Sequence, residues 1–137
     1  KPDGGINVLY SRVSGKTKED SDELTKQNSL IMQYCISNGI KIDHQYRDMC
    51  SSFVFGKDKR PGLYELMKDM FAGNIKNIYV LSPDVISPFF YEFFMELCSM
   101  CGVYVEIISN VPTDEAKKSI TYELLSMSDI IKKRFAL

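Results

Sequence analysis

At 137 residues and 15.7 kDa, the chain has the size of one domain, able to bury about two-thirds of the surface that its unfolded form exposes. Hydrophobic residues at 45%, charged at 26% and aromatic at 12% are globular proportions, which excludes a disordered, collagen-like or low-complexity chain. The charges sum to 17 − 18 = −1, which excludes strong nucleic-acid binding through bulk electrostatics alone.

The predicted elements alternate strand and helix. Residues 1–5 form a flexible lead, and Ile6 to Val13 is apolar and β-branched enough for a buried strand. Asp20 or Ser21 caps a helix carrying Leu24, Leu30, Ile31, Tyr34 and Cys35, with Gly39 as its stop. Ile40 to Asp48 alternates in strand fashion around the sole histidine, His44, and Met49 to Arg60 has no period and reads as a mobile loop. Pro61 starts a helix whose Leu63, Leu66, Met67, Met70 and Phe71 recur at helical spacing, and Gly73 ends it. Ile78 to Leu81 is a short buried strand. Ser87 and Pro88 then open a helix with Phe89, Phe90, Phe93, Phe94 and Leu97 inward. Val103 to Ile108 is the fourth strand. Thr113 caps a last helix over 113–137, with Asp114 and Glu115 in its first turn.

This order implies a single α/β domain over 1–137. It has a mainly parallel sheet of four or five strands, helices on both faces, right-handed crossovers and a long C-terminal helix. The stripe Ile120, Leu124, Met127, Ile131 and Phe135 on that helix either packs on the sheet or pairs with a second copy, and a homodimer is expected. The longest uncharged stretch, Gln27 to Ile40, is too short to span a bilayer, so no membrane partner is expected. Cys98 and Cys101 form a lone C-x-x-C on the apolar helix, read as two small core residues rather than a zinc or redox pair; with Cys35 and Cys50 they fit a reducing, intracellular setting. The start at Lys1, without Met, is expected of a piece of a longer protein.

Ligands of an open parallel sheet bind beyond the carboxyl ends of its strands. The first strand delivers Arg12 and Ser14 there, the second Asp48 followed by Ser51 and Ser52, and the third Asp84. Arg60 could swing over the same edge from beyond the loop. An alcohol, two guanidiniums and two carboxylates suit a phosphate oxyanion, with no metal ligands beyond the acids and no cofactor. Alternatively Arg12 pairs with Asp48 or Asp84, and Ser14 only caps a turn.

Tyr10-Ser11-Arg12-Val13-Ser14, Leu24-x-x-Gln27, Tyr46-x-Asp48-x-x-Ser51, Arg60-Pro61-Gly62-Leu63 and the strand leading to Asp84 together resemble the catalytic domain of serine recombinases. The resemblance covers almost the whole chain, and Phe89 to Ile108 with the last helix look most like the insertion-sequence transposase branch. It implies that Ser14 is a nucleophile for a DNA phosphodiester, with Arg12 and Arg60 neutralising the transition state and Gln27, Asp48, Ser51 and Asp84 in supporting roles. The family normally reads Asp-Arg-Leu-x-Arg after the third strand. This chain reads Asp84-Val85-Ile86-Ser87-Pro88, so both arginines are lost, at Val85 and Pro88. One arginine aimed at a transferring phosphoryl group can be worth roughly 10³–10⁵ in rate, about 4–7 kcal/mol.

The expectation is therefore a catalytically inactive, self-associating interaction module. The alternatives are an active recombinase or transposase using Ser14, and a small phosphate-ligand domain that lacks the glycine-rich fingerprint. DNA binding would be weak and would fall to the basic clusters Lys57/Lys59/Arg60 and Lys132/Lys133/Arg134. Richness in Ile, Lys, Asn, Tyr and Ser adds a closer resemblance to the degenerate, recombinase-derived proteins of poxviruses, implying work in the cytoplasm, nucleus or nucleolus of a host cell.

Overall fold

The computed structural model describes residues 4–109 and 114–136. In chain order it contains β1 (Ile6–Val13), α1 (Lys18–Ser37), β2 (His44–Met49), α2 (Pro61–Phe71), β3 (Ile75–Val80), α3 (Pro83–Ile86), α4 (Tyr91–Met100), β4 (Tyr104–Ile107) and α5 (Asp114–Phe135). The four strands form one parallel sheet in the order β2-β1-β3-β4. Both faces are covered. Consecutive residues Val8 to Val13 of β1 and Ile78 to Val80 of β3 are all buried, although their side chains alternate between faces. The core joins these strands to Ile31 and Cys35 of α1, Leu63, Leu66 and Met70 of α2, and Phe94 and Cys98 of α4.

Local chemistry explains most element ends. Thr17, rather than Asp20 or Ser21, caps α1. Its hydroxyl accepts from the Asp20 N–H at 3.2 Å, and the Asp20 carboxylate accepts from the Thr17 N–H at 3.0 Å, a reciprocal capping box. Gly39 follows α1 at φ +70°, where a side chain would be strained. All four cysteines are free; burial pushes the Cys98 thiol up to about 12, so it behaves as a small apolar core group.

Several expectations need correction. The strand expected over Ile40 to Asp48 is His44–Met49, and that expected over Ile78 to Leu81 is Ile75–Val80. Leu30 and Phe71 lie outside their helices' buried stripes and are exposed. The larger error concerns the phenylalanines. Phe89, Phe90 and Phe93 are exposed, because α4 begins only at Tyr91 and its phase is set by Phe94 and Cys98, one turn apart. Ser87 accepts from the N–H groups of Phe89 and Phe90 and so closes a turn that also holds Pro88, but the N-cap of α4 is Phe90, and neither Ser87 nor Pro88 opens the helix. Phe53 stacks on Phe89 with ring centroids 5.5 Å apart. The caps placed at Thr113, with the side chains of Asp114 and Glu115, lie outside the described residues, as does most of the lead over 1–5.

The split between core and rim is directly measurable. Leu66→Ala removes a fully buried side chain and is expected to cost about 2–5 kcal/mol in denaturant unfolding. Phe93→Ala, at an exposed site, should change stability by no more than about 0.5 kcal/mol.

Candidate functional site

The chain leaves β1 for β2 on one side and later adds β3 and β4 on the other. The order therefore reverses between β1 and β3, which opens a crevice beyond their carboxyl ends. Arg12 sits there, at the end of β1. Pairing with β3 stops at Leu9, and beyond it the Gln27 side chain takes over the ladder's work: its Oε1 accepts from the Arg12 N–H at 3.0 Å and its Nε2 donates to the Arg12 carbonyl at 3.1 Å.

The Arg12 guanidinium is buried and donates from Nε to the Val85 carbonyl (2.8 Å), from Nη1 to Cys50 (3.0 Å) and from Nη2 to Asp84 (2.8 Å). Arg12 therefore meets Asp84 through the backbone and not through its carboxylate, contrary to the pairing considered from sequence; the Asp84 carboxylate accepts from the Ser82 hydroxyl at 2.6 Å. Burial, and next the charge of Arg60, lower the Arg12 pKa, while Glu123 opposes them.

Arg60 does not swing over the edge. It has no exposed surface and is fixed from all sides. Nε donates to the Tyr10 phenol (3.0 Å), Nη1 to the Ser52 carbonyl (3.0 Å), and Nη2 to the carbonyls of Val85 (3.1 Å) and Ile86 (2.7 Å). Its carbon lies over the rings of Tyr10 and Phe55 at 5.6 and 5.5 Å. The basic cluster Lys57/Lys59/Arg60 thereby loses its arginine and keeps two exposed lysines.

Asp48 organises the same region. Its Oδ1 accepts from the Gly62 N–H (2.7 Å), its Oδ2 from the Leu63 N–H (2.8 Å) and from the Tyr10 hydroxyl (2.6 Å), and Arg60 Nε is 3.9 Å away. The carboxylate thus closes the N-terminus of α2. Glycine is required at position 62, where a Cβ would lie 2.8 Å from the Arg47 carbonyl carbon. Burial, with Asp48 adding to it, raises the Tyr10 pKa strongly, against the opposing pull of Arg60.

The loop before α2 is pinned, not loose: Arg12 holds the Cys50 carbonyl, Arg60 holds the Ser52 carbonyl, and the Ser52 N–H donates at 2.7 Å to Glu123, a carboxylate of α5. Ser51 turns inward as well, accepting from the Phe53 N–H at 3.1 Å and donating to Glu123 at 3.5 Å. Ser14, one residue past β1 and half-buried, lines a cavity of about 240 Å³ with Gly15, Asp20 and Tyr122. Pro88 lines a wider cleft of about 590 Å³ with Asp84 and Ser87, and Val85 is buried beneath its own carbonyl's two arginine partners.

The structure therefore gathers Arg12, Gln27, Asp48, Ser51, Arg60 and the backbone of Asp84 and Val85 into one cluster, with Ser14 on the adjoining cavity. Glu123 was missed, and Tyr10, quoted only within the first motif, was given no role. For Glu123 a signal existed in its place one turn after Ile120 and one turn before Met127, both half-buried. The expected stripe on α5 is split as a result: Leu124, Ile131 and Phe135 are exposed. Among the described residues, no group of three His, Cys, Asp or Glu side chains is placed to hold a metal ion, and no helix is long and apolar enough to cross a membrane.

Residues 7–135 match the family described as "Resolvase, N terminal domain". No curated protein sequence matches significantly. Among solved structures, the chain is similar to the C-terminal catalytic domain of the ISC1926 transposase, an IS607-like serine recombinase, with a TM-score of 0.79 and 23% identity over 93% of this chain and 84% of that one. It is also similar to a serine recombinase from Sulfolobus solfataricus (0.75, 21%, 96% and 86%) and to a resolvase family site-specific recombinase from Streptococcus pneumoniae (0.63, 18%, 96% and 94%).

Two outcomes test this geometry. Arg60→Ala removes the donor to the Tyr10 phenol and to the Ser52 and Ile86 carbonyls, and one of the two donors to Val85, and is expected to cost about 3–5 kcal/mol, with no rescue by Arg60→Lys, which cannot reproduce the planar fork. Tyr10, whose pKa is raised on folding, contributes stability that is intact below the unfolded tyrosine pKa of about 10 and is lost as pH rises above it. Chemical denaturation across that range should show an alkaline decline that is shallower in Tyr10→Phe.

Proposed function

Because the chain belongs to the family of resolvase N-terminal domains, the catalytic domains of serine recombinases, we propose that it is a catalytically silent member: a self-associating interaction module that keeps the recombinase scaffold without cutting DNA. One observation carries this reading. The arginines it keeps are spent on its own backbone, Arg12 on three carbonyls and Arg60 on three carbonyls and a phenol, and Val85 and Pro88 stand where the family has two more. A scissile phosphate at Ser14 would meet too little free positive charge, since an arginine directed at a transferring phosphoryl group supplies roughly 10³–10⁵ in rate. Exposed lysines such as Lys57 and Lys59 provide point charges and no bidentate fork.

Self-association has its own support. Leu124, Leu125, Ile130, Ile131 and Phe135 are all exposed on α5, an unusual load of large apolar groups for a free helix. A second copy packed along α5 would bury them. Any DNA contact would be through backbone phosphates at exposed lysines, weak and steeply salt-dependent. A viral origin within the poxvirus group, and work in the cytoplasm and nucleus of a host cell, extend the proposal on the strength of the chain's composition.

The decisive assay incubates the protein with nicked suicide duplexes of crossover type and separates products under denaturing conditions. No covalent protein–DNA adduct is expected; an adduct that disappears in Ser14→Ala would establish an active recombinase instead. Sedimentation should show association rising with concentration and reduced at least about tenfold by the pair Leu124→Lys and Ile131→Lys, a loss of about 1.4 kcal/mol or more. Monomer alone at high concentration would remove the self-association part.

A further inference from the structure

Helix α5 is built against its own polarity. Leu124, Leu125, Ile130, Ile131 and Phe135 face outward, Ile120 and Met127 are half-buried, and among its described residues the one that is fully buried is a carboxylate, Glu123. An ionised side chain in that position has to be matched by donors. Glu123 Oε1 accepts from the Ser52 N–H at 2.7 Å, lies 3.5 Å from the Ser51 hydroxyl and 3.8 Å from Arg12 Nη1, and neither member of that ion pair is more than 2% exposed. A backbone N–H, a hydroxyl and the edge of a guanidinium are the donor types that hold a phosphate oxygen.

We propose that Glu123 is a tethered anion that fills the oxyanion position at the carboxyl edge of β1, so that docking of α5 and binding of a phosphate oxyanion exclude each other. This rests on the reading of the Arg12 edge as a recombinase-type phosphate site and adds what occupies that site at rest. Because Glu123 is attached to the same chain, it competes at an effective concentration on the order of millimolar or above, so free phosphate is shut out in the unaltered protein. The same contact anchors α5, since Glu123 contributes the buried hydrogen bonds that its exposed leucines and isoleucines do not.

The test uses the full chain and two variants, Glu123→Gln and Glu123→Ala, titrated separately with inorganic phosphate and with a short DNA duplex at constant ionic strength. The readout is the amide resonance of Ser52 together with hydrogen exchange along α5. The unaltered chain should show no saturable movement of the Ser52 amide at millimolar phosphate. Both variants should show it, with an apparent affinity at least about tenfold tighter, and α5 amides should exchange faster in Glu123→Ala than in the unaltered chain. Glutamine keeps the shape and the acceptor for Ser52, so that variant decides the matter if alanine unfolds the domain. Response to the duplex at the same amide identifies a DNA-backbone phosphate, and response to phosphate alone identifies a small anion; both support the exclusion. Identical titrations in all three proteins would overturn it, and so would saturable binding to the unaltered chain with α5 still protected. Neither result depends on whether Ser14 forms an adduct, so the two proposals fail separately.

Discussion

Two guanidiniums buried at the carboxyl edge of the sheet govern the rest of this structure. Arg12 and Arg60 converge on one short segment, the carbonyls of Asp84, Val85 and Ile86 in α3, and reach sideways to the carbonyls of Cys50 and Ser52. Burying two cations would be prohibitive without compensation. It is provided by two carboxylates, Asp48 at 3.9 Å from Arg60 and Glu123 at 3.8 Å from Arg12, which leave the cluster formally neutral. Each participant also ties a different element into place: Asp48 the start of α2, Glu123 the helix α5, and the arginines the irregular chain between β2 and α2.

That neutrality is also the functional argument. A phosphoryl-transfer site needs fixed positive charge left over for the substrate, with donors pointed at the position the oxyanion will take. Here the donors point at the protein's own carbonyls, and the remaining edge of Arg12 faces a carboxylate from the same chain. The chain keeps the family's α/β fold, with a four-stranded parallel sheet and a long last helix, while both buried guanidiniums are directed at the protein's own carbonyls. In the proposed reading fold and chemistry have separated, as they can wherever function lives in a site and not in the scaffold that carries it.

The strand-helix alternation was legible because strong local signals mark it. The apolar β-branched run of Ile6–Val13 became β1 with the same bounds, and the glycines after α1 and α2 sit at φ +70° and +78° as helix stops should. Arg12, Asp48 and Arg60 were marked by their place at the carboxyl edge of the sheet and Gln27 by the family motif, yet their roles were not legible. An arginine after a periodless, lysine-bearing loop looks solvent-facing, and nothing local announces that five backbone carbonyls from distant segments will surround it and its neighbour. Those acceptors are backbone atoms, which carry no residue-specific signal. The phenylalanines misled for a related reason: apolar content suggested burial, but helix phase is set by where α4 begins, and that depends on the Ser87 turn.

The central claim, that both retained arginines are structural, is tested most directly by nitrogen-15 spectra of the guanidinium Nε–H groups of Arg12 and Arg60 with and without duplex DNA. The account predicts two slowly exchanging signals that stay in place when the duplex is added, because each proton is already committed to an acceptor inside the protein. Rapid exchange with solvent, or movement of either signal on adding DNA, would contradict it by showing a guanidinium still available to a phosphate.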